Sequence, residues 1–482
     1  MNIATPPGSL KAEEIQIKSD LLARFAAIVG EKYAITDRTL QEQYLREMRD
    51  LYHGHTPMVL RPGSVAEVSA ILKLANETKT PVVPQGGNTG LVGGQVPHHG
   101  EIVLSLNRMD KIREVDATSN SITAEAGVSL GRVREAAANV DRLYPLLLPS
   151  EGTCTVGGNL STNAGGTTAV SWGVARAQAL GLEVVLADGR VLNNLNKLKK
   201  DNTGYDLKNL FIGAEGTLGV ITAATLRLIP RPRSVETAFA GVTSPEAALA
   251  LLGIASEHSG GNITSFELMF RMGIDAVLKY DSGSRDPLND KHEWYALIEL
   301  SSQQRTGLRD TMENILAEGV EKGLVADAAI AESLDQAKAF WRIREMFGEV
   351  QRQVGGSIKH DISVPVAHVP AFIREANEAV VKLIPGARPL PFGHLGDGNI
   401  HYNIAQPVDA DKAAFLERWH DVNMVVFEIV LKYGGSISAE HGIGIMKRDL
   451  LPTIKDPVAM ELMRALKRTL DPNGILNPGK VL

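Results

Sequence analysis

The sequence predicts an α+β protein of two or three domains, and three observations carry that expectation. The chain has 482 residues, too many for one hydrophobic core. From Val59 onward, short apolar runs alternate with segments of helical spacing. At Pro230-Arg231-Pro232 the series is interrupted, because proline donates no ladder hydrogen bond, and a second strand–helix series follows.

Taken in order, residues 20–45 carry helical spacing and read as an N-terminal helical segment within 1–52. Residues 57–62 read as a strand. Ser64 can N-cap a helix through Asn76, and Glu67 three residues on completes a capping box. Strands are expected at 81–83, 102–104, 112–115 and 121–125, then a helix at 129–138. Residues 180–186 and 190–192 flank Ala187-Asp188-Gly189, a hairpin signal. A long strand at 219–228 ends the first domain, 53–231. The second domain, 232–457, is expected to contain strands at 235–242, 265–270 and 294–300. Its helices are expected at 245–257, 305–322, 334–354, 370–382 and 411–433. A last helix at 458–470 opens a C-terminal segment, 458–482.

Composition narrows the class. Hydrophobic residues make up 44% and charged residues 22%, as in ordinary soluble globular proteins, and a net charge of −6 gives no reason to expect nucleic acid. Cys154 is the only cysteine, which excludes an intrachain disulfide and a thiolate metal cluster. Beside a Gly-Gly loop it is expected to be a small buried residue rather than a nucleophile. No apolar run is long enough to span a membrane, and neither a secretory nor an arginine-rich transit pattern opens the chain. A soluble, cytoplasmic protein is expected.

Two glycine-rich loops carry the first chemical signal. Pro84-Gln85-Gly86-Gly87-Asn88-Thr89-Gly90-Leu91-Val92-Gly93-Gly94 follows a short buried strand, and its backbone could approach an anion such as a pyrophosphate. The spacing is not G-x-G-x-x-G, and one glycine-rich loop is more often a structural turn. A second loop, from Pro149 to Gly166, repeats the same chemistry. A third segment, Gly213-Ala214-Glu215-Gly216-Thr217-Leu218-Gly219, follows.

Two further segments are rich in metal-ligating residue types. Phe392-Gly393-His394-Leu395-Gly396-Asp397-Gly398-Asn399-Ile400-His401 holds a tight-turn sequence between strand-like flanks. A reversal there can bring His394 and His401 together, with Asn403 on the same face as His401. Near the end of the second domain, Gly434-Gly435 ends a helix, a short strand at 436–439 follows, and Glu440-His441-Gly442 comes next. Taken singly, two histidines near a turn are more often satisfied structural residues than ligands.

Together, in this order, the three loops, the His-Leu-Gly-Asp-Gly-Asn-Ile-His element, the Glu-His-Gly element and the tail Asn473-Gly474-Ile475-Leu476-Asn477-Pro478-Gly479-Lys480 resemble a known family. It is the vanillyl-alcohol oxidase/p-cresol methylhydroxylase (PCMH-type) family of FAD-binding proteins, in its D-2-hydroxyacid dehydrogenase branch. The resemblance runs from about Leu60 to the tail. It implies a two-subdomain FAD-binding domain, an α+β substrate (cap) domain, and a C-terminal segment that returns to the flavin domain.

The resemblance also implies site residues. Flavin contacts fall on Pro84, Gln85, Gly86, Gly87, Asn88, Thr89, Gly93 and Gly94 of the first loop. The second contributes Ser150, Gly157, Gly158, Ser161, Thr162, Asn163 and Gly166; Glu215, Gly216, Gly219, Ile221 and Asn477 complete the set. Covalent relatives attach flavin through histidine or cysteine near the first loop; Asn88 and Thr89 stand there instead, so FAD is expected to be non-covalent.

By the same resemblance His394, His401 and Glu440 hold a divalent metal. Two imidazoles, a carboxylate and open positions suit zinc as a Lewis acid, and could also hold iron(II). His441 is the implied general base, and the hydride passes from C2 of the substrate to flavin N5. Arg344 and Lys359 match the family's substrate-carboxylate ligands, and Asn403 is a further substrate contact.

The implied reaction is oxidation of a D-2-hydroxyacid, D-2-hydroxyglutarate first and D-lactate or glycolate second. Gly348, one helical turn after Arg344, departs from the hydroxyl-bearing residue of the animal enzymes. Two readings of other classes compete: a non-catalytic flavin subunit of a larger complex, and an iron-dependent oxygenase without flavin. With neither a nicotinamide fingerprint nor iron–sulfur ligands, an external acceptor such as electron-transfer flavoprotein is implied. The oligomeric state is left open, a homodimer being the common case on general grounds.

Overall fold

The structure, a computed structural model, describes residues 15–482. It divides into two compact units, each described by itself. One comprises 15–164, Val174–Arg231 and His441–Leu482; the other comprises Gly165–Gly173 and Pro232–Glu440.

The first unit has two larger sheets, each with its own core, as the expected pair of α+β subdomains requires, and a two-stranded pairing of Arg142–Leu143 with Ile229–Pro230. In the four-stranded sheet Val59–Leu60 and Val82–Gln85 run parallel to Ile102–Ser105, and Ala34–Ile35 adds antiparallel to Val59–Leu60. The 20–45 segment is not one helix. Gly30, at φ 82°, stops helix Ser19–Val29, and Asp37 caps a second helix, Arg38–Leu45. Ser64 accepts from the Glu67 N–H at the start of helix Val65–Thr78, but the Glu67 carboxylate returns to Gly63 N–H rather than to Ser64. Phe25, Leu60, Ile71, Leu72 and Leu104 fill this core.

In the five-stranded antiparallel sheet, Val220–Arg227 lies at the centre between Ser121–Glu125 and Ala179–Val185. The expected hairpin closes there, with Ala179–Val185 pairing to Val191–Asn194 across Gly189 at φ 85°. Segment 441–457 folds with this unit, since the Ile445 and Met446 N–H groups donate to Val92 O. The tail follows helix Pro457–Leu470: Val82 N–H donates to Ile475 O and Asn477 N–H to Val82 O, so the tail covers an otherwise open sheet edge.

The second unit is built on one eight-stranded antiparallel sheet. Its order is Val325–Ile330, Ser234–Val242, Trp294–Ser302, Ile263–Phe270, Arg388–His394, Asn399–Ala405 and Ser357–Ile358, with Asp361–Ser363 also on Asn399–Ala405. The predicted helices form at Pro245–Ser259, Leu308–Glu321, Leu334–Val350 and Val369–Leu383. The 411–433 segment breaks at Arg418 into Lys412–Glu417 and Trp419–Lys432. The expected strand at 436–439 is reduced to a single bridge, Ser363 to Ser436. Helix Arg271–Tyr280 and strand Val325–Ile330 were not foreseen; Gly273 in the one and the small residues of Val-Ala-Asp-Ala-Ala-Ile in the other mask their periods.

Candidate active site

The predicted reversal places the two histidines of the second unit side by side. Strands Arg388–His394 and Asn399–Ala405 pair with Phe392 opposite His401 and His394 opposite Asn399, and the His394 and His401 rings lie 5.5 Å apart. Gly398 turns the hairpin at φ 80°, and a Cβ there would meet Val364 O at 2.1 Å. Glu440 is fixed by its backbone: its N–H donates to Asp361 Oδ2 at 2.9 Å. Asp361 also accepts from Asn399 Nδ2 at 3.0 Å.

His394 Nε2 lies 3.9 Å from Glu440 Oε1, and His401 Nε2 lies 4.0 Å from Glu440 Oε2. A tetrahedral zinc with bonds of about 2.0–2.1 Å places ligand atoms about 3.3 Å apart. The two contacts to Glu440 are about 0.6–0.7 Å longer than that, and one ligand atom of each residue lies within 4.8 Å of the others, so the three residues fit a divalent metal once side chains draw in. Electrostatics agrees. Burial lifts the Glu440 carboxyl to about 8, against the pull of His394, so a cation would have a buried acid to ionise.

Glu267 stands beside this set and was not foreseen. It is the directly paired neighbour of His394 across the sheet, accepting from His394 Nδ1 and Arg344 Nε, each at 2.6 Å. Burial raises its pKa, but His394 and Arg344 outweigh that and hold it well below the usual carboxylate range. Burial likewise opposes charge on His394, yet Glu267 raises it above the ordinary imidazole value. A lone glutamate inside the apolar run Ile-Thr-Ser-Phe-Glu-Leu-Met-Phe was the signal available in the sequence.

Arg344 is buried on helix Leu334–Val350, with its guanidinium 5.0 Å from the Phe392 ring centre. Its Nε is committed to Glu267, so an anion would meet its Nη edge. Asn403, buried, donates to Gln351 Oε1 at 2.8 Å. Lys359 is half-buried between Ser357–Ile358 and Asp361–Ser363. Gly348 is exposed, with nothing within 4 Å of the position a Cβ would take.

The predicted flavin residues lie in the first unit, except Gly166, which belongs to the second. Each predicted segment contains a non-glycine residue in the left-handed region: Asn88 at φ 56°, Asn163 at 53°, Glu215 at 50° and Asn477 at 44°. Side-chain bonds hold each one. Asn88 Nδ2 donates to Gln43 O and Arg46 O, and Asn163 Oδ1 accepts from Arg176 N–H. Glu215 accepts from the Ile443 and Gly444 N–H groups at 2.7 and 2.9 Å, while Asn477 Nδ2 donates to Gly94 O and Glu215 O.

The glycines serve packing of chain on chain. A Cβ on Gly86 would meet Thr155 Oγ1 at 2.4 Å, one on Gly87 would meet Thr153 O at 1.9 Å, and one on Gly216 would meet Pro84 Cγ at 3.1 Å. Gly157 stands against Ala126 and Gly219 against Val184 in the same way. Ser161 O accepts from Glu215 N–H, and Thr162 Oγ1 donates to Gly158 O. Ser150 O accepts from the Thr153 and Cys154 N–H groups, and Ile221 is core in the central strand. Gly93 lies at φ 71°, and Thr89 is half-buried. Gln85 Oε1, Asn88 Oδ1 and Asn477 Oδ1 are buried acceptors without a protein donor, and a flavin's N–H group and ribityl hydroxyls fit such a lining.

Comparison with known proteins decides the family. The profile described as "FAD linked oxidases, C-terminal domain" matches residues 231–481, and the "FAD binding domain" profile matches 56–194. The chain belongs to the FAD-linked oxidases. A flavin-free oxygenase is thereby set aside. This FAD-linked oxidase is 39% identical over 458 residues to the mitochondrial D-2-hydroxyglutarate dehydrogenase of Arabidopsis thaliana, covering 95% of this chain and 80% of the relative. A Schizosaccharomyces pombe protein, provisionally named a mitochondrial D-lactate dehydrogenase, is 35% identical over 481 residues, 98% of this chain and 90% of its own. The structure of p-cresol methylhydroxylase with substrate bound superposes with a TM-score of 0.75 at 17% identity, covering 97% of this chain and 98% of the other, which shows the PCMH-type fold. Among the described residues, no helix of this FAD-linked oxidase is long and apolar enough to cross a membrane.

Proposed function

We propose that this FAD-dependent D-2-hydroxyacid dehydrogenase oxidises D-2-hydroxyglutarate to 2-oxoglutarate with a divalent metal, zinc by preference. The observation that carries the metal is the convergence of His394, His401 and Glu440, whose ligand atoms all lie within 4.8 Å of one another. The substrate reading is supported by the name of the Arabidopsis relative. Gly348 and the Schizosaccharomyces pombe relative favour D-lactate as the second reading.

When bound, FAD supplies the hydride acceptor and the metal a Lewis acid that lowers the pKa of the substrate hydroxyl. The chain's own groups do the rest. Arg344 and Lys359 receive carboxylate, the arginine through a directional fork and the lysine as a point charge. Asn403 orients the substrate. His441 takes the hydroxyl proton as the hydrogen on C2 leaves with its electron pair, so C2 becomes a carbonyl carbon. The electrons would leave to an external acceptor, electron-transfer flavoprotein by our reading.

Anaerobic flavin bleaching with a panel of D- and L-2-hydroxyacids, before and after chelator treatment, tests this. Rapid bleaching by D-2-hydroxyglutarate alone, lost with the metal and restored by zinc, is expected. Faster bleaching by D-lactate would reassign the substrate. Full bleaching of protein shown by elemental analysis to be metal-free would remove the metal.

A further inference from the structure

Glu267 is a fully buried carboxylate that contacts both a predicted metal ligand and a predicted substrate ligand. Three features define its task. Cross-strand pairing with His394 fixes it on the histidine's own face of the sheet. Its Oε1 meets His394 Nδ1 while its Oε2 meets Arg344 Nε. An ionised carboxylate can only accept, so both partners must present N–H to it. His394 therefore carries a hydrogen on Nδ1, and in the neutral form that a metal requires its lone pair is on Nε2, the atom that lies 3.9 Å from the Glu440 carboxylate.

We infer that Glu267 is a positioning residue that selects the Nε2-ligating form of His394 and, with its other oxygen, aims Arg344. The inference rests on the metal reading above. Removing the whole side chain would leave the buried Arg344 charge without its carboxylate and the His394 Nδ1–H without an acceptor, so alanine is a poor probe. Glutamine keeps the shape and divides the two roles. Its amide offers one acceptor oxygen and one donor nitrogen. With the oxygen toward Arg344, the NH2 group faces His394 Nδ1 and favours the tautomer that masks Nε2. With the oxygen toward His394, the NH2 group confronts the Arg344 N–H. Either arrangement forfeits one contact.

The test is Co(II) affinity of metal-depleted, flavin-loaded protein, read by competition titration and by the visible cobalt spectrum, independently of turnover. Glu267→Gln should bind Co(II) about 10–100-fold more weakly than wild type at unchanged flavin content. Its KM for D-2-hydroxyglutarate should rise with its Arg344 contact impaired. Glu267→Asp, which keeps two acceptors on a shorter stem, should recover part of the Co(II) affinity, and it replaces glutamine as the probe if that variant does not fold. Wild-type Co(II) affinity in the folded variant overturns the inference and leaves the metal site standing. Failure of wild-type protein to take up Co(II), or uptake that survives His394→Ala, instead removes the metal reading and the inference with it.

Discussion

Asn477 and Glu215 both have left-handed backbones, and the Asn477 side-chain amide donates to the Glu215 carbonyl at 2.8 Å. The same amide donates to Gly94 O at 2.9 Å, so one tail residue joins two of the predicted flavin segments. The Lys467 ammonium adds a third tie, donating to Thr217 O and Leu476 O at 2.8 Å each. The tail is thus part of the cofactor-bearing unit's framework rather than an appendage.

Asn477→Ala should therefore destabilise that unit and loosen its flavin. One buried and one part-buried hydrogen bond are lost and their carbonyls lose this donor, for about 2–4 kcal/mol in all. Urea unfolding should shift accordingly, and the variant should lose FAD on gel filtration. Retention of FAD with an unshifted urea midpoint would refute the clamp.

Glu215 gives a pH prediction for the apoprotein. Burial pushes its carboxyl up to about 7, although the Ile443 and Gly444 N–H groups pull it down. Because the folded value exceeds the unfolded one, its stabilising effect is full below about 4.5 and is lost as pH rises through about 7. The difference is on the order of 3 kcal/mol at most. Unfolding free energies of wild type and Glu215→Gln across pH 4.5–8 should show the wild-type decline and a flatter variant. Parallel curves would show that Glu215 is ionised throughout.

As a proposed metal ligand, Glu440 would make metal binding proton-linked. With its carboxyl at about 8 in the absence of a cation, it is mostly protonated at neutral pH, and a metal must displace that proton. Zinc affinity of the apoprotein should rise about tenfold per pH unit up to about 8 from this group, then level off. Competition titrations at several pH values would measure it. Glu440→Gln should bind weakly with a shallower slope, whereas an unchanged affinity would exclude Glu440 as a ligand.

Much of this was legible because local chemistry and final structure agree. Ser64, Ser129 and Ser244 cap the helices they precede, and Gly189 turns the hairpin it marks. The His394–His401 hairpin was readable because Gly-Asp-Gly fixes the reversal and strand alternation fixes the faces. Glu267 was hidden, since its importance depends on a partner 127 residues away that only sheet pairing reveals. The glycine loops could be located, but not the reason for their glycines: Gly87 is required by Thr153 O, a contact made through tertiary packing.

His441 should be the proton acceptor, and its loss should slow flavin reduction far more than it weakens binding. It directly follows the proposed metal ligand Glu440, and Gly442 after it, at φ 83°, bends the chain where a Cβ would strike Glu215 Oε1 at 2.6 Å. Glu215 in turn holds the Ile443 and Gly444 N–H groups, so the backbone just beyond His441 is anchored on the cofactor-bearing unit. Removal of a general base commonly slows a reaction about a hundred- to ten-thousand-fold. A histidine that only oriented Glu440 would instead weaken metal retention about 10–100-fold. Stopped-flow flavin reduction and metal content, measured together on His441→Ala and His441→Asn, separate the two roles. Slow reduction at full metal occupancy is expected; metal lost in step with activity, or reduction near the wild-type rate, would remove His441 from the proton transfer.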